Sequence, residues 1–335
     1  MATAYAPETV QALNRMVKHS LTRWGMSKEA QAKLLNLSEN ATYLAADPLQ
    51  RAEMIIRVQR PGYSSKEEIA SELAWVKALG CEGVVSTAAP IKGSDGNDVE
   101  SLEEDKLERL AVAFTKLNGH EPAVGDELAL WFERIGRISA RMHAHAKTWC
   151  RPAGFTRRNW DFNHVIGRQA SWGSWHDALG LTPEATQLIA ATVKKLEEIT
   201  TDYGQNADNF GVIHADLRTA NLLVDGETLH VIDFDDMGFG WYLFDFASSL
   251  SFLEQEPEAG ELMRAWIKGY EEERGKKLSN DEKDLLPAFS IMRRIELTAW
   301  LSSHREIPFA KQQGEAFTAD TARLCALYLQ HQYLN

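Results

Sequence analysis

The sequence predicts an α+β protein of two unequal lobes, a small antiparallel β lobe with one helix followed by a larger, mainly helical lobe. Three observations carry this. From Leu34 to Leu117 short apolar, β-branched runs alternate with turn residues and admit a single helical period. Beyond Asn118-Gly119 long helical periods dominate, and among them lies one compact β island, Val212 to Phe234. The expected division is therefore a lobe of residues 1–117, with an N-terminal helical extension, and a lobe of residues 118–335. A length of 335 residues suits two packed units.

In the first lobe, Met54-Ile55-Ile56-Arg57-Val58-Gln59 reads as a strand that Pro61-Gly62 ends. Ser64-Ser65 offers N-cap hydroxyls with Glu67 and Glu68 in the first turn, and Ile69, Leu73, Val76 and Leu79 then recur at helical spacing until Gly80. Gly83 to Ala89 and Leu110 to Leu117 read as two more strands. The acidic stretch from Glu100 to Glu108 between them reads as a solvated loop or a short helix. In the second lobe the helical periods are Leu128 to Thr148, Pro183 to Thr200, Glu258 to Arg274, Asp281 to Ser303 and Lys311 to Tyr333.

Composition narrows the function. With 36 Lys+Arg against 48 Asp+Glu the net charge is −12, and no basic stripe offsets it, which excludes nucleic acid as the main partner. Cys81, Cys150 and Cys325 have no metal-ligand or disulfide-framework spacing and read as reduced thiols. Met1 to Arg15 is polar and no run of about 18 apolar residues occurs, so the expectation is a cytoplasmic protein, off the membrane, as a monomer or homodimer.

The chemistry concentrates in the β island. Asp225-Gly226 between apolar triplets signals a hairpin pairing Leu222–Val224 with Leu229–Ile232. With Val224 facing Leu229, Asn221 lies opposite Ile232 and beside Asp233, while Asp216 leads into the same open end. An amide oxygen and a carboxylate converging there suit a hard cation such as Mg²⁺ carrying substrate phosphates, and a separate carboxylate can accept a proton from an attacking hydroxyl. An EF-hand reading of Asp233-x-Asp235 fails for want of Gly at the sixth and Glu at the twelfth position. No Walker or dinucleotide glycine loop occurs. His143 and His145 are not spaced i, i+4, which favours packing or capping over zinc.

The motif His214-x-Asp216-x-x-x-x-Asn221, followed by Ile232-Asp233-Phe234, resembles the catalytic loop and metal-binding segment of protein-kinase-like enzymes, in particular the aminoglycoside phosphotransferase and choline kinase family. That resemblance implies an enzyme that moves the γ-phosphoryl group of ATP, with Mg²⁺, to a hydroxyl of a small molecule: an amino alcohol, hydroxy amino acid, sugar or aminoglycoside. It implies Asp216 as the base, Asn221 and Asp233 as the Mg²⁺ ligands and His214 as a brace of the loop. Leu243-Phe244-Asp245-Phe246-Ala247 resembles a later family segment in which Asp245 would orient the catalytic loop. Within the family the sequence looks similar to choline/ethanolamine, homoserine and hydroxylysine kinases. Two other functions fit the same scaffold, a serine/threonine protein kinase and a nucleotide-binding pseudokinase.

Other sites follow from the resemblance with alternatives beside them. Leu37-Ser38-Glu39-Asn40-Ala41-Thr42-Tyr43 resembles the family's glycine-poor nucleotide loop, which would give Ser38 and Asn40 to ATP; a plain polar turn is the other reading. The strand lysine of the superfamily is missing. Arg57 is the natural replacement for the phosphates, with Glu72 on the next helix as its carboxylate partner, or else Arg57 forms a surface ion pair. Arg218 either steadies the γ-phosphoryl group or bonds carbonyls of its own loop. Asp235 is a candidate for a substrate amine, Asp236 reads as solvated, and Trp175 and Trp241 are either acceptor-pocket walls or core.

Overall fold

The computed structural model describes residues 6–105, 107–122 and 128–334. The chain divides into an N-terminal unit that runs to Gly119 and takes back Cys150–Arg157, and a C-terminal unit of His120–Trp149 and Arg158 onward. The return segment is held to its unit by hydrogen bonds, Thr156 N to Ser71 Oγ (3.0 Å) and an Arg157 guanidinium to the Glu68 carbonyl (3.1 Å). No local periodicity encodes such a return.

The N-terminal unit opens with α1 (Pro7–Ser20), Pro7 entering at the first turn where its missing N–H costs nothing. Strands β1 (Gln31–Leu37), β2 (Ala41–Asp47) and β3 (Ala52–Val58) precede α2 (Lys66–Cys81); β4 (Ser86–Thr87), β5 (Pro90–Ile91), β6 (Glu100–Glu104) and β7 (Leu107–Thr115) follow. The antiparallel sheet runs β1-β2-β3-β7-β5, with β6 also on β7. One face, through Ala41, Tyr43, Ala45, Ile56, Val58 and Ala113, packs on Leu13, Met16 and Val17 of α1. Each such fully buried aliphatic side chain stabilises by about 1.5–3 kcal/mol. Of the two N-cap hydroxyls offered by the sequence, Ser65 starts α2 in a capping box, with Glu68 N donating to Ser65 Oγ and Ser65 N to the Glu68 carboxylate.

Two expectations change here. The acidic stretch is a strand, not a loop or helix: Leu102 alternates inward to full burial and β6 pairs with β7. Its charge is absorbed by neighbours, Glu100 by Arg23 and Glu104 by Arg15 and His19, so the charge run concealed a hairpin. Conversely Gly83 to Ala89 yields only the short β4, and Pro90, with no N–H to give, confines β5 to two residues.

The C-terminal unit contains α3 (Leu128–Thr148), α4 (Phe162–Val165), α5 (Pro183–Tyr203), α6 (Phe244–Ser249), α7 (Ala259–Arg274), α8 (Asn280–Ser303) and α9 (Pro308–Leu329). Among them, β8 (Asn159–Trp160), β12 (Gly238–Trp241) and β9 (Phe210–Ile213) form one small sheet, and β10 (Leu222–Asp225) pairs with β11 (Thr228–Val231). The hairpin register is Val224 to Leu229 and Leu222 to Val231, the pairing the turn residues dictate. Pairing extends to Asp225 with Thr228, so the loop is Gly226-Glu227, with Gly226 in the left-handed region at φ 58°.

Helices α3 and α7 touch backbone to backbone. A Cβ on Gly269 would fall on the Glu133 carbonyl oxygen, and one on Gly136 on that of Trp266. Gly269→Ala should therefore destabilise the protein by about 1–3 kcal/mol. Gly80→Ala, where the new Cβ meets only Thr87 Cγ2 at 3.5 Å, should be neutral or stabilising by up to about 1 kcal/mol. Urea unfolding of both variants checks this; equal midpoints would contradict the close approach.

Candidate active site

The loop that follows β9 is shaped by one buried carboxylate. Asp245, at the start of α6 and fully buried, accepts from His214 N (3.2 Å) and Ala215 N (2.8 Å), and from His143 Nε2 (2.9 Å) on α3. His143 Nδ1 lies 3.0 Å from the Tyr270 hydroxyl on α7. One residue on, Leu217 N donates to Ser248 Oγ of α6 at 2.9 Å. These bonds hold Ala215 at φ 66°, a conformation that costs a non-glycine residue about 1–3 kcal/mol unless its surroundings impose it. His214 ties the loop to the hairpin end: Nε2 donates to the Ile232 carbonyl (3.2 Å) and Nδ1 accepts from Asp216 N (3.3 Å). One nitrogen donating and one accepting is the neutral tautomer, and burial lowers the imidazole's pKa to match.

Asp216 thereby enters the open end of the hairpin with both carboxylate oxygens bonded. Oδ2 accepts from Asn221 Nδ2 (2.6 Å) and Arg218 Nε (3.2 Å), and Oδ1 from an Arg293 guanidinium nitrogen (2.7 Å). Burial alone would raise its pKa; the Arg218 and Arg293 cations outweigh that and hold the carboxyl below the usual carboxylate range. Asn221 gives its Nδ2 also to the Asp216 carbonyl (2.8 Å), which leaves its amide oxygen as the acceptor of that side chain. Ile232 N donates to the Asn221 carbonyl at 2.9 Å, so Asp233, exposed and left-handed at φ 60°, follows directly beside Asn221 on the facing strand end. Among the described residues no cluster of three or more His, Cys, Asp or Glu gathers for a metal. A cation here would have the Asn221 and Asp233 oxygens as protein donors.

Asp235 and Asp236 are both buried. Asp236 is no solvated residue: it pairs with Arg158 at 3.2 Å, and its carbonyl accepts from Trp160 Nε1 at 2.7 Å. Trp241 is 2 % exposed, donates to the Gly204 carbonyl (2.8 Å) and packs on Phe289 and Phe210. Trp175 is buried and stacked on His176 at 3.6 Å. Both tryptophans sit as packed residues, apart from the Asp216 hydrogen-bond network.

Sequence reasoning read α8 as a helix but missed the arginine it brings to Asp216. Arg293 is 1 % exposed; besides Asp216 it donates to Glu296 Oε2 (2.9 Å) and Ser251 Oγ (3.3 Å), and its guanidinium lies 4.6 Å from the Trp172 ring centre. Burial pushes Glu296 up to about 8 against the pull of Arg293. A signal was present: Arg293, Arg294 and Glu296 stand inside the run Ile291-Met292-Arg293-Arg294-Ile295-Glu296-Leu297 of a helix buried all round. Charges so placed need partners from elsewhere in the fold.

In the N-terminal unit, Arg57 and Glu72 form a buried pair at 2.6 Å rather than a surface one, with Arg57 over the Phe114 ring at 5.5 Å. Gln59, unmarked by the sequence reading, extends this pair. In the amide orientation that satisfies its neighbours, its oxygen accepts from Arg57 (3.0 and 3.1 Å) and its nitrogen donates to Asn40 Oδ1 (3.0 Å). Asn40, Gln59, Arg57 and Glu72 are thus one chain of bonds. Asn40 Oδ1 also accepts from Arg60 N (3.2 Å), and Ser38 N donates to the Asn40 carbonyl (3.1 Å) in the β1–β2 turn. Glu72 Oε1 is buried and has no hydrogen-bond partner among the described residues.

The chain matches the model of the phosphotransferase enzyme family over residues 32–277. It is 24 % identical over 271 residues to an amicoumacin kinase of Bacillus subtilis (strain 168), covering 77 % of this chain and 76 % of that protein. The solved structure of a microcompartment-associated aminopropanol kinase is similar at a TM-score of 0.87 and 38 % identity, over 96 % of this chain and 99 % of that one. An amicoumacin kinase in complex with AMP-PNP, Ca²⁺ and Ami shares the fold at a TM-score of 0.77 and 20 % identity, over 99 % of this chain and 96 % of that one. No helix among the described residues is long and apolar enough to cross a membrane. The protein-kinase-like fold and the match over most of the chain lead to one assignment: the protein belongs to the phosphotransferase enzyme family and is a small-molecule kinase.

Proposed function

We propose that the protein transfers the γ-phosphoryl group of ATP, bound with Mg²⁺, to the hydroxyl of a small amino alcohol. The observation that carries this reading is the Asp216 carboxylate, oriented by three donors and set beside Asn221 at the open hairpin end. Asp216 accepts the proton of the acceptor hydroxyl as its oxygen bonds to the γ-phosphorus. Two arginines make it a weak base, which suits a transfer in which the bond to the leaving group loosens before the hydroxyl gives up its proton. The Asn221 amide oxygen and the Asp233 carboxylate are the hard donors that Mg²⁺ favours, two from the protein with the rest of its sites for water and phosphate. When bound, the cation supplies charge that offsets what develops on the phosphate oxygens. Arg218 stands beside Asp216 for the same purpose. In the N-terminal unit Arg57, kept in place by Glu72 and Gln59, together with Asn40 and Ser38, serves the nucleotide. The acceptor class is drawn from the aminopropanol kinase, whose identity to this chain is 38 % over nearly its whole length, and from the carboxylate Asp235, which follows two residues after Asp233.

The test is to incubate the purified protein with ATP, Mg²⁺ and a panel of amino alcohols that includes 1-amino-2-propanol, reading phosphate esters by mass spectrometry. An ester formed with one ADP per turnover is expected. ATP binding without any ester across the panel contradicts the reading. Asp216→Asn should lower kcat by about 10²–10⁴-fold while nucleotide affinity holds.

His214 as the neutral brace of the loop sets a pH dependence. The unfolded chain protonates this imidazole near pH 6.5, and the folded state does not, so the unfolded state binds more protons below that pH. Stability should therefore fall as pH drops through about 6.5, by at most about 1.4 kcal/mol per pH unit from this group. His214→Gln should flatten that part of the curve in urea unfolding between about pH 7.5 and 5.5. An unchanged slope would contradict a neutral His214.

A further inference from the structure

Two arginines adjoin in the middle of α8, and they are used differently. Arg294 turns into the helical packing, where it meets Glu254 (2.9 Å), Thr321 Oγ1 (3.0 Å) and the Phe317 ring, with no contact to the catalytic loop among its bonds. Arg293 turns the other way and reaches Asp216. Its fork is committed in three directions: one terminal nitrogen to Glu296, the other to Asp216 Oδ1, and Nε to Ser251 Oγ, with the Trp172 ring against its plane. A planar guanidinium held at three points leaves no freedom to the nitrogen that meets Asp216. Burying a cation and a carboxylate so deeply is expensive, and a well-packed apolar pair would serve packing alone at least as well.

The consequence falls on the base. Oδ2 of Asp216 already takes Asn221 and Arg218, whereas Oδ1 takes Arg293 alone, so Oδ1 keeps a lone pair for an incoming hydroxyl. We propose that Arg293 is a positioning residue for phosphoryl transfer: locked by Glu296, Ser251 and Trp172, it fixes the Asp216 carboxylate so that Oδ1 faces the acceptor hydroxyl. Trp172, in the Trp172-Gly173-Ser174-Trp175 segment, acts as the lid of this clamp rather than as a wall for substrate. The proposal rests on the phosphoryl-transfer reading. In that reaction the hydroxyl proton passes to Oδ1, the new O–P bond forms, and the bond from the γ-phosphorus to the ADP oxygen breaks.

The test compares Arg293→Met/Glu296→Leu, which removes both members of the buried pair together, with Arg293→Lys and with Arg294→Met/Glu254→Leu. ATP with 1-amino-2-propanol serves as the probe pair, and acceptor-free ATP hydrolysis is read alongside. For the Arg293 double variant kcat should fall about 10²-fold, as for a small misplacement of a reacting group, with KM for both substrates and the melting temperature little changed. Arg293→Lys, which keeps the charge but not the fork, should recover part of the rate. The Arg294 pair should change the melting temperature without that selective loss of kcat. A folded Arg293 double variant with wild-type kcat, or one that loses kcat and nucleotide affinity together, overturns the role of Arg293. Absence of turnover in the wild type, with acceptor or with water, removes the phosphoryl-transfer reading as well.

Discussion

Asp245 takes three hydrogen bonds in a site with no exposure to water, two from consecutive backbone N–H groups of the loop after β9 and one from His143. In a low-dielectric interior a carboxylate so satisfied is rigid, and an unsatisfied one would be costly, which makes the arrangement close to all-or-none. The left-handed turn at Ala215 depends on it. Through that turn so does the direction in which Asp216 leaves the strand, and so does the link from His214 to the hairpin end that carries Asn221 and Asp233. The Tyr270, His143 and Asp245 contacts carry the same constraint back to α3 and α7, the pair of helices whose glycines let their backbones meet.

Around this frame the charges are arranged in balanced pairs. A net charge of −12 first reads as a feature of the surface. Yet Asp216, Asp236, Asp245, Glu254 and Glu296 are enclosed or partly enclosed in the C-terminal unit, opposed by Arg218, Arg158, His143, Arg294 and Arg293. Asp233 is exposed at the hairpin end, the place proposed above for the divalent cation. The N-terminal unit repeats the principle on a smaller scale, with Arg57 locked between Glu72 and Gln59.

The hairpin was legible because short-range rules govern it: a two-residue turn and strict alternation set its register, and the register places Asn221 beside Asp233. Long helices were legible for the same reason, down to the end of α3 at Thr148. What escaped was made by partners far apart in sequence. Strand β6 was hidden because Glu104 is met by Arg15 and His19 of α1 and Glu100 by Arg23, all 77 or more residues away. Arg293 sits 77 residues beyond Asp216, and Gln59 bonds Asn40, 19 residues before it, with no spacing that announces either contact. Asp236 looked solvated because nothing local shows Arg158 arriving from β8's approach. Buried charges on a helix apolar on every side were the one available hint.

Asp245 sets the geometry of the loop, and through it the transfer proposed at Asp216. Single-turnover phosphoryl transfer by Asp245→Asn measures it most directly, since asparagine keeps the shape but turns an N–H₂ group toward donors that need an acceptor. The account predicts a folded protein that still binds nucleotide and transfers the phosphoryl group at least about 10²-fold more slowly. A transfer rate equal to that of the unaltered protein would contradict it.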